Sequence, residues 1–152
     1  MKNLSILIII GILGLSSIIE AQVPDYIITR DEVKYFKKVR EGLSSNIIGI
    51  TEVGREKISA DQVLAYSRDG RIFERMPVIE DNRETGRYAF MELLTHRNGL
   101  KVYKHITMPY TNDPEEEYLV YTVDGKYVVR FDSKNSPTLN QFFFRMHNVA
   151  VK

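Results

Sequence analysis

The chain has 152 residues, no cysteine and nearly balanced charge, with 21 Lys and Arg against 20 Asp and Glu. Without cysteine there is no disulfide framework, no thiolate metal site and no lipid-bearing cysteine behind a leader, so stability must come from a hydrophobic core. A net charge of +1 supplies no long-range attraction for nucleic acid or anionic lipid.

The chain opens with MKNLSILIIIGILGLSSIIEA. Lys2 forms a short basic start, an apolar run extends from Leu4 to about Leu15, and a small residue stands at Ala21, the three-part layout of a secretory signal. Serines and glycines interrupt the run, which falls short of the ~20 apolar residues a spanning helix needs. Residues 1–21 are therefore expected to be a signal peptide, with no stable membrane span after cleavage. Residues 22–152 would form one β-rich domain that is periplasmic, outer-membrane-associated or secreted. Cleavage removes one base, Lys2, and one acid, Glu20, and leaves the charge balance unchanged.

After the leader, Tyr26–Thr29, Val33–Val39 and Ile47–Val53 are rich in β-branched and aromatic residues and are expected to be strands. The short SADQV stretch, Ser59 to Val63, suits a turn or a single helical turn. Three Asx-Gly pairs then punctuate strand-like sequence: Asp69-Gly70, Asn98-Gly99 and Asp124-Gly125. Such pairs accept positive φ at both central positions of a type I′ turn, so each predicts a hairpin, about six strands in all. Between the first two, EDNRETG (Glu80 to Gly86) has the mixed charges of a long exposed connection. FMELL, Phe90 to Leu94, is expected to be a strand, with a short helix as the alternative.

The Asn98-Gly99 hairpin carries two of the three histidines. In a regular two-residue hairpin His96 opposes Lys101, Leu94 opposes Tyr103 and Glu92 opposes His105. His96 and His105 then stand roughly 13 Å apart along the strands, too far to share a zinc ion. Tyr103, His105 and Glu92 would occupy one face, which together with Phe144 forms the expected ligand or partner surface.

The acidic stretch NDPEEEY, Asn112 to Tyr118, reads as a loop. Asp113, Glu115 and Glu117 are weak calcium candidates, because their spacing lacks the alternation of a dedicated calcium loop. Near the C-terminus, Ser136-Pro137 offers an N-cap and a first-turn proline. Leu139, Phe142, Phe143 and Met146 then recur at helical spacing and predict an amphipathic helix. Three consecutive phenylalanines cannot share one side, which leaves Phe144 as the residue directed outward.

Catalytic signatures are missing. There is no G-x-S-x-G elbow, no phosphate-binding glycine loop and no H-E-x-x-H pair, and no cofactor is implied. Two carboxylates converging in space would leave no local signature, so a small glycan-acting hydrolase remains an alternative. Nine tyrosines supply amphipathic surface suited to strand packing or to partner contact.

The segments KISADQVLAYSRDGRIFERMPV, FMELLTHRNGLKVYKH and LVYTVDGKYVV together resemble a family of small exported bacterial β-rich proteins. That family is marked by a signal peptide, an ADxV-aYsxDG hairpin, an FMELL…NGLKLY hairpin and a later DGK turn. The resemblance runs from about Tyr26 to Phe143 and rests on turn and core residues. It implies export and a β-rich fold, and it carries no activity and no site residues.

The expected fold is all-β: an antiparallel sandwich or partly open barrel of about seven to nine strands, with a short C-terminal amphipathic helix. The expected role is an exported, non-catalytic envelope or secreted protein that binds a protein or glycan. A hydrolase, or a β-barrel carrier of an apolar ligand, is the alternative.

Overall fold

A computed structural model of the chain describes residues 23–42, 45–107, 114–132 and 137–148. These form β1 (Asp25–Thr29), β2 (Val33–Phe36), β3 (Lys38–Glu41), β4 (Asn46–Ile50), β5 (Arg55–Ser59), β6 (Val63–Arg68), β7 (Arg71–Glu80), β8 (Arg83–Arg97), β9 (Leu100–Thr107), β10 (Glu115–Thr122), β11 (Tyr127–Phe131) and α1 (Pro137–Asn148). An eight-stranded sheet has the order β11-β10-β9-β8-β7-β6-β1-β2, and a second sheet the order β3-β4-β5. All pairings are antiparallel. The all-β class with a C-terminal helix is thus what the chain adopts, with eleven strands among the described residues.

Turn chemistry sets most of this order. Asp69 and Gly70 have φ of 52° and 74°, and Asn98 and Gly99 have 53° and 76°, the paired positive values of type I′ turns. At the third pair only Gly125 is left-handed, with φ 86°. Its N–H bonds to Thr122 O at 3.0 Å, closing a wider turn. EDNRETG is not the long connection its charges suggest. Asp81 and Asn82 take φ of 49° and 59° and make a two-residue turn between β7 and β8. Asp and Asn tolerate that region without glycine, which is why the signal is weak in the sequence. NDPEEEY is likewise corrected in part, since β10 begins at Glu115.

Val33–Val39 is two strands in two sheets, broken at Lys37. The break carries the chain from the edge of the large sheet to the edge of the small one, and Phe36 and Val39 remain buried on either side of it. They join Ile27, Ile47, Ile58, Val63, Tyr66 and Phe73 in the core between the sheets. Asp25, only 7% exposed, ties this corner together. Its carboxylate accepts the Val39 N–H at 2.8 Å and the Asp69 N–H at 3.0 Å.

The large sheet folds back on itself. Pro77 pairs with Tyr88, whereas Tyr121 connects through Lys101 to His96, eight positions further along β8. In a flat sheet those rungs would lie ~26 Å apart. Yet the Tyr121 hydroxyl donates to Pro77 O at 2.8 Å, and the Tyr127 hydroxyl reaches Asn82 Oδ1 at 3.0 Å. Bulges at Leu93/Thr95 and Pro77/Ile79 provide the bend. The enclosed side is filled by Met76, Ile79, Met91, Tyr103, Leu119 and Tyr121. The barrel does not close, because β11 and β2 remain edges.

On the other side of β9–β11, α1 covers Val102, Tyr118, Val120 and Phe131. Leu139 is fully buried there, and the Phe142 ring lies 5.8 Å from that of Phe131. Among the described residues no helix is long and apolar enough to cross a membrane.

Candidate functional site

The hairpin surface expected from the sequence is divided by the fold. Arg97 opposes Leu100 and His96 opposes Lys101 as expected, but the bulge shifts everything beyond. Glu92 pairs with Lys104 and Leu93 with Tyr103, so the expected Glu92–His105 pair is corrected. A one-residue slip moves a side chain to the other face, and Glu92 therefore lies opposite to Tyr103 and His105. Tyr103 is fully buried, and its hydroxyl donates to Glu74, which also holds Lys101 Nζ at 2.8 Å. His105 instead meets the neighbouring strand, with Nδ1 2.7 Å from Glu117 Oε1. Arg130 approaches the other Glu117 oxygen at 3.7 Å.

The side chain of Phe144 and the whole of Asp113 lie outside the described residues. Glu115 and Glu117 alternate on one side of β10, and Glu117 is engaged by His105 and Arg130. Among the described residues no group of three or more His, Asp or Glu gathers to hold a metal.

Several tyrosines end on acceptors. Tyr66 donates to Glu41, Tyr103 to Glu74 and Tyr118 to Glu116. Burial, reinforced by the Glu116 carboxylate, pushes the Tyr118 hydroxyl up to about 12. Burial pushes Tyr66, Tyr103 and Tyr121 up as well. For a phenol the ionised form is the disfavoured one, so a raised folded pKa contributes stability fully present below the unfolded value of about 10. That stability is lost as pH rises from there through the folded values. Urea midpoints should hold steady between pH 7 and 9 and fall above pH ~10, with these phenols ionising only at high pH or on unfolding. Simple ionisation of all nine tyrosines near pH 10 in the folded chain would contradict the buried network.

A groove of about 820 Å³ lies on the face of the large sheet that also carries the small sheet. Its floor follows from strand alternation. Phe73, Glu92 and Lys104 share one rung, Arg75 and Phe90 the next, and Pro77 and Tyr88 the one beyond. Glu41, Ala60 and Asp61 contribute the wall on the small-sheet side, and Gly86 to Tyr88 the opposite end. Tyr66 stacks on Phe73 with centroids 4.9 Å apart. Arg68 lies 4.7 Å over the same ring, and Arg75 lies 4.1 Å over the half-exposed Tyr88. A hydrogen bond from Ser59, with Arg75 nearby, holds the Asp61 carboxyl below the usual range.

The chain matches no protein-family model, no curated protein and no solved structure.

Chemically the groove presents fixed guanidinium groups, aromatic rings and carboxylate acceptors along one channel. Of the described surface residues expected from sequence, Glu92 lies on its floor and His105, whose side chain meets Glu117 on the other face, borders it beside Lys104 and Ile106, while Arg68, Arg75, Tyr88 and Phe90 were missed. The alternation Phe73-Arg75 beside Tyr88-Phe90 was a usable signal. It becomes legible once Asp81-Asn82 is read as a tight turn.

Proposed function

We propose that the chain is an exported, non-catalytic binding protein of the envelope or extracellular space, and that its ligand or partner lies in the groove over β6–β9. Export is supported by the leader layout at residues 1–21 and by the resemblance to exported bacterial β-rich proteins. The observation that carries the binding reading is the groove itself, where Arg75 stacks on the half-exposed Tyr88 above a floor of Phe73 and Phe90. Aromatic and arginine side chains held in place give up little conformational freedom on binding and commonly anchor interfaces. An apolar carrier has less support, because the enclosed side of the large sheet is filled with its own side chains.

A photo-crosslinking amino acid at position 88, inside the groove, and another at Val128, an exposed residue outside it, provide the test. With the envelope fraction of the source cells, a discrete crosslinked species is expected from position 88 and not from 128. No species at 88, or the same labelling at both, would overturn the reading. The hydrolase alternative draws on the same groove, since Glu41, Asp61 and Glu92 all line it. Release of reducing ends from a bound glycan, abolished by Asp61→Asn, would favour it.

A further inference from the structure

Resting on the groove as the binding site, we infer the class of its ligand: a glycan chain bearing spaced carboxylates, such as a uronate polymer, gripped by Arg68 and Arg75.

The other groove cations are already matched. Lys104 meets Glu116 at 3.1 Å and Arg87 is paired with Glu80, while Arg71, which does not line the groove, faces Glu92 at 3.8 Å. Arg68 and Arg75 line the groove without a direct ion pair among the described residues, the nearby Asp61 acting on Arg75 only through its field. Each is stacked on a ring instead, Arg68 on Phe73 and Arg75 on Tyr88. Stacking occupies the face of a guanidinium and leaves its N–H edge for a planar, bidentate acceptor, the geometry a carboxylate fits.

Spacing and surroundings narrow the class. Arg68 shares a rung with Arg71, and Arg75 lies four residues further along β7, roughly 13 Å at the backbone. The rings over which the two guanidinium groups lie are set apart as well, Phe73 on one rung and Tyr88 opposite Pro77, four residues further along β7, so one carboxylate or one phosphate does not span both and the ligand carries at least two acidic groups. Between and beside the arginines, Glu41, Asp61 and Glu92 also line the groove. These carboxylates repel a dense polyanion and accept hydrogen bonds from hydroxyls. Carboxylates separated by hydroxyl-bearing units match that alternation, whereas an unbroken run of acidic residues does not. The floor, moreover, is the face of paired strands. Its backbone groups are committed to ladders, so no peptide strand can be added there and recognition falls to side chains.

Titration calorimetry of the purified chain with polygalacturonate, poly-glutamate and dextran tests this. Polygalacturonate is expected to bind and to weaken as salt rises. Arg68→Gln and Arg75→Gln should each lower its affinity at least tenfold, and the Lys replacements should restore only part of it. The urea midpoint of each variant shows whether it has folded, and the two sites serve as independent checks. Equal or tighter binding of poly-glutamate, equal binding of dextran, or arginine variants that fold and bind normally would each overturn the inference. Failure of polygalacturonate to bind while the position-88 crosslinker still captures a component would overturn the ligand class alone. Failure of both would remove the groove reading as well.

Discussion

Replacing Gly49 by alanine is expected to destabilise the protein by about 3 kcal/mol, at the upper end of the usual range for overpacking a core. A β-carbon at that position would lie 2.2, 2.4 and 2.5 Å from three ring atoms of Phe36. The ring is 4% exposed and packed with Ile27, Val39 and Ile47, so it cannot swing aside without displacing the core between the two sheets. Gly49 sits mid-strand, where glycine costs conformational entropy, and the close approach of Phe36 is what it provides in return. Urea denaturation should show a lower midpoint at unchanged slope. In a Phe36→Leu background the same change should cost far less, because the smaller side chain leaves room for the new methyl. A Gly49→Ala loss below about 0.5 kcal/mol, the scale of an ordinary surface change, would mean that the sheets separate freely and that the inter-sheet contact is loose.

Asp25→Ala is expected to cost a similar amount, about 3 kcal/mol, for a different reason. The carboxylate is buried and accepts two backbone N–H groups, from Val39 in β3 and from Asp69 in the β6–β7 turn. Charge-assisted hydrogen bonds contribute about 1.5 to 3 kcal/mol each, and alanine leaves the buried Val39 donor unsatisfied while the Asp69 donor, in an exposed turn, is left to water. Asp25→Asn keeps the shape and one acceptor oxygen but turns an amide toward one of the donors, so an intermediate loss is expected. Amide exchange at Val39 and Asp69 should accelerate in both variants before exchange in β9 and β10 changes. Protection unchanged at these two amides would show that the carboxylate does not hold the corner.

Much of the architecture could be read locally. Asp69-Gly70 and Asn98-Gly99 fixed two hairpins, and the Tyr66–Phe73 rung follows from the register of the first. The helical stripe of Leu139, Phe142 and Phe143 docks on the sheet as its spacing predicts. Local reading failed where geometry depended on distant parts of the chain. The break at Lys37 follows from two sheets competing for one strand-like run. REKIS, β5, has too many charged residues to signal a strand and is held by pairing with β4. The bulge at Leu93/Thr95 leaves no mark in composition, because the need for it arises only when the β7–β8 arm bends back to meet Tyr121 and Tyr127.

The candidate site shows the same division. By itself the sequence determined a cysteine-free β-rich chain with a leader-like start, its strongest turns and its terminal helix, since backbone conformational preference and hydrophobic periodicity are local properties. The tertiary structure alone decided that Tyr103 is core, that His105 and Glu92 lie on opposite faces, and that Arg68 and Arg75 line the groove. Strand alternation converts a shift of one residue into a change of face. The composition of a surface is therefore set by register, and register here is set by the bend of the whole sheet.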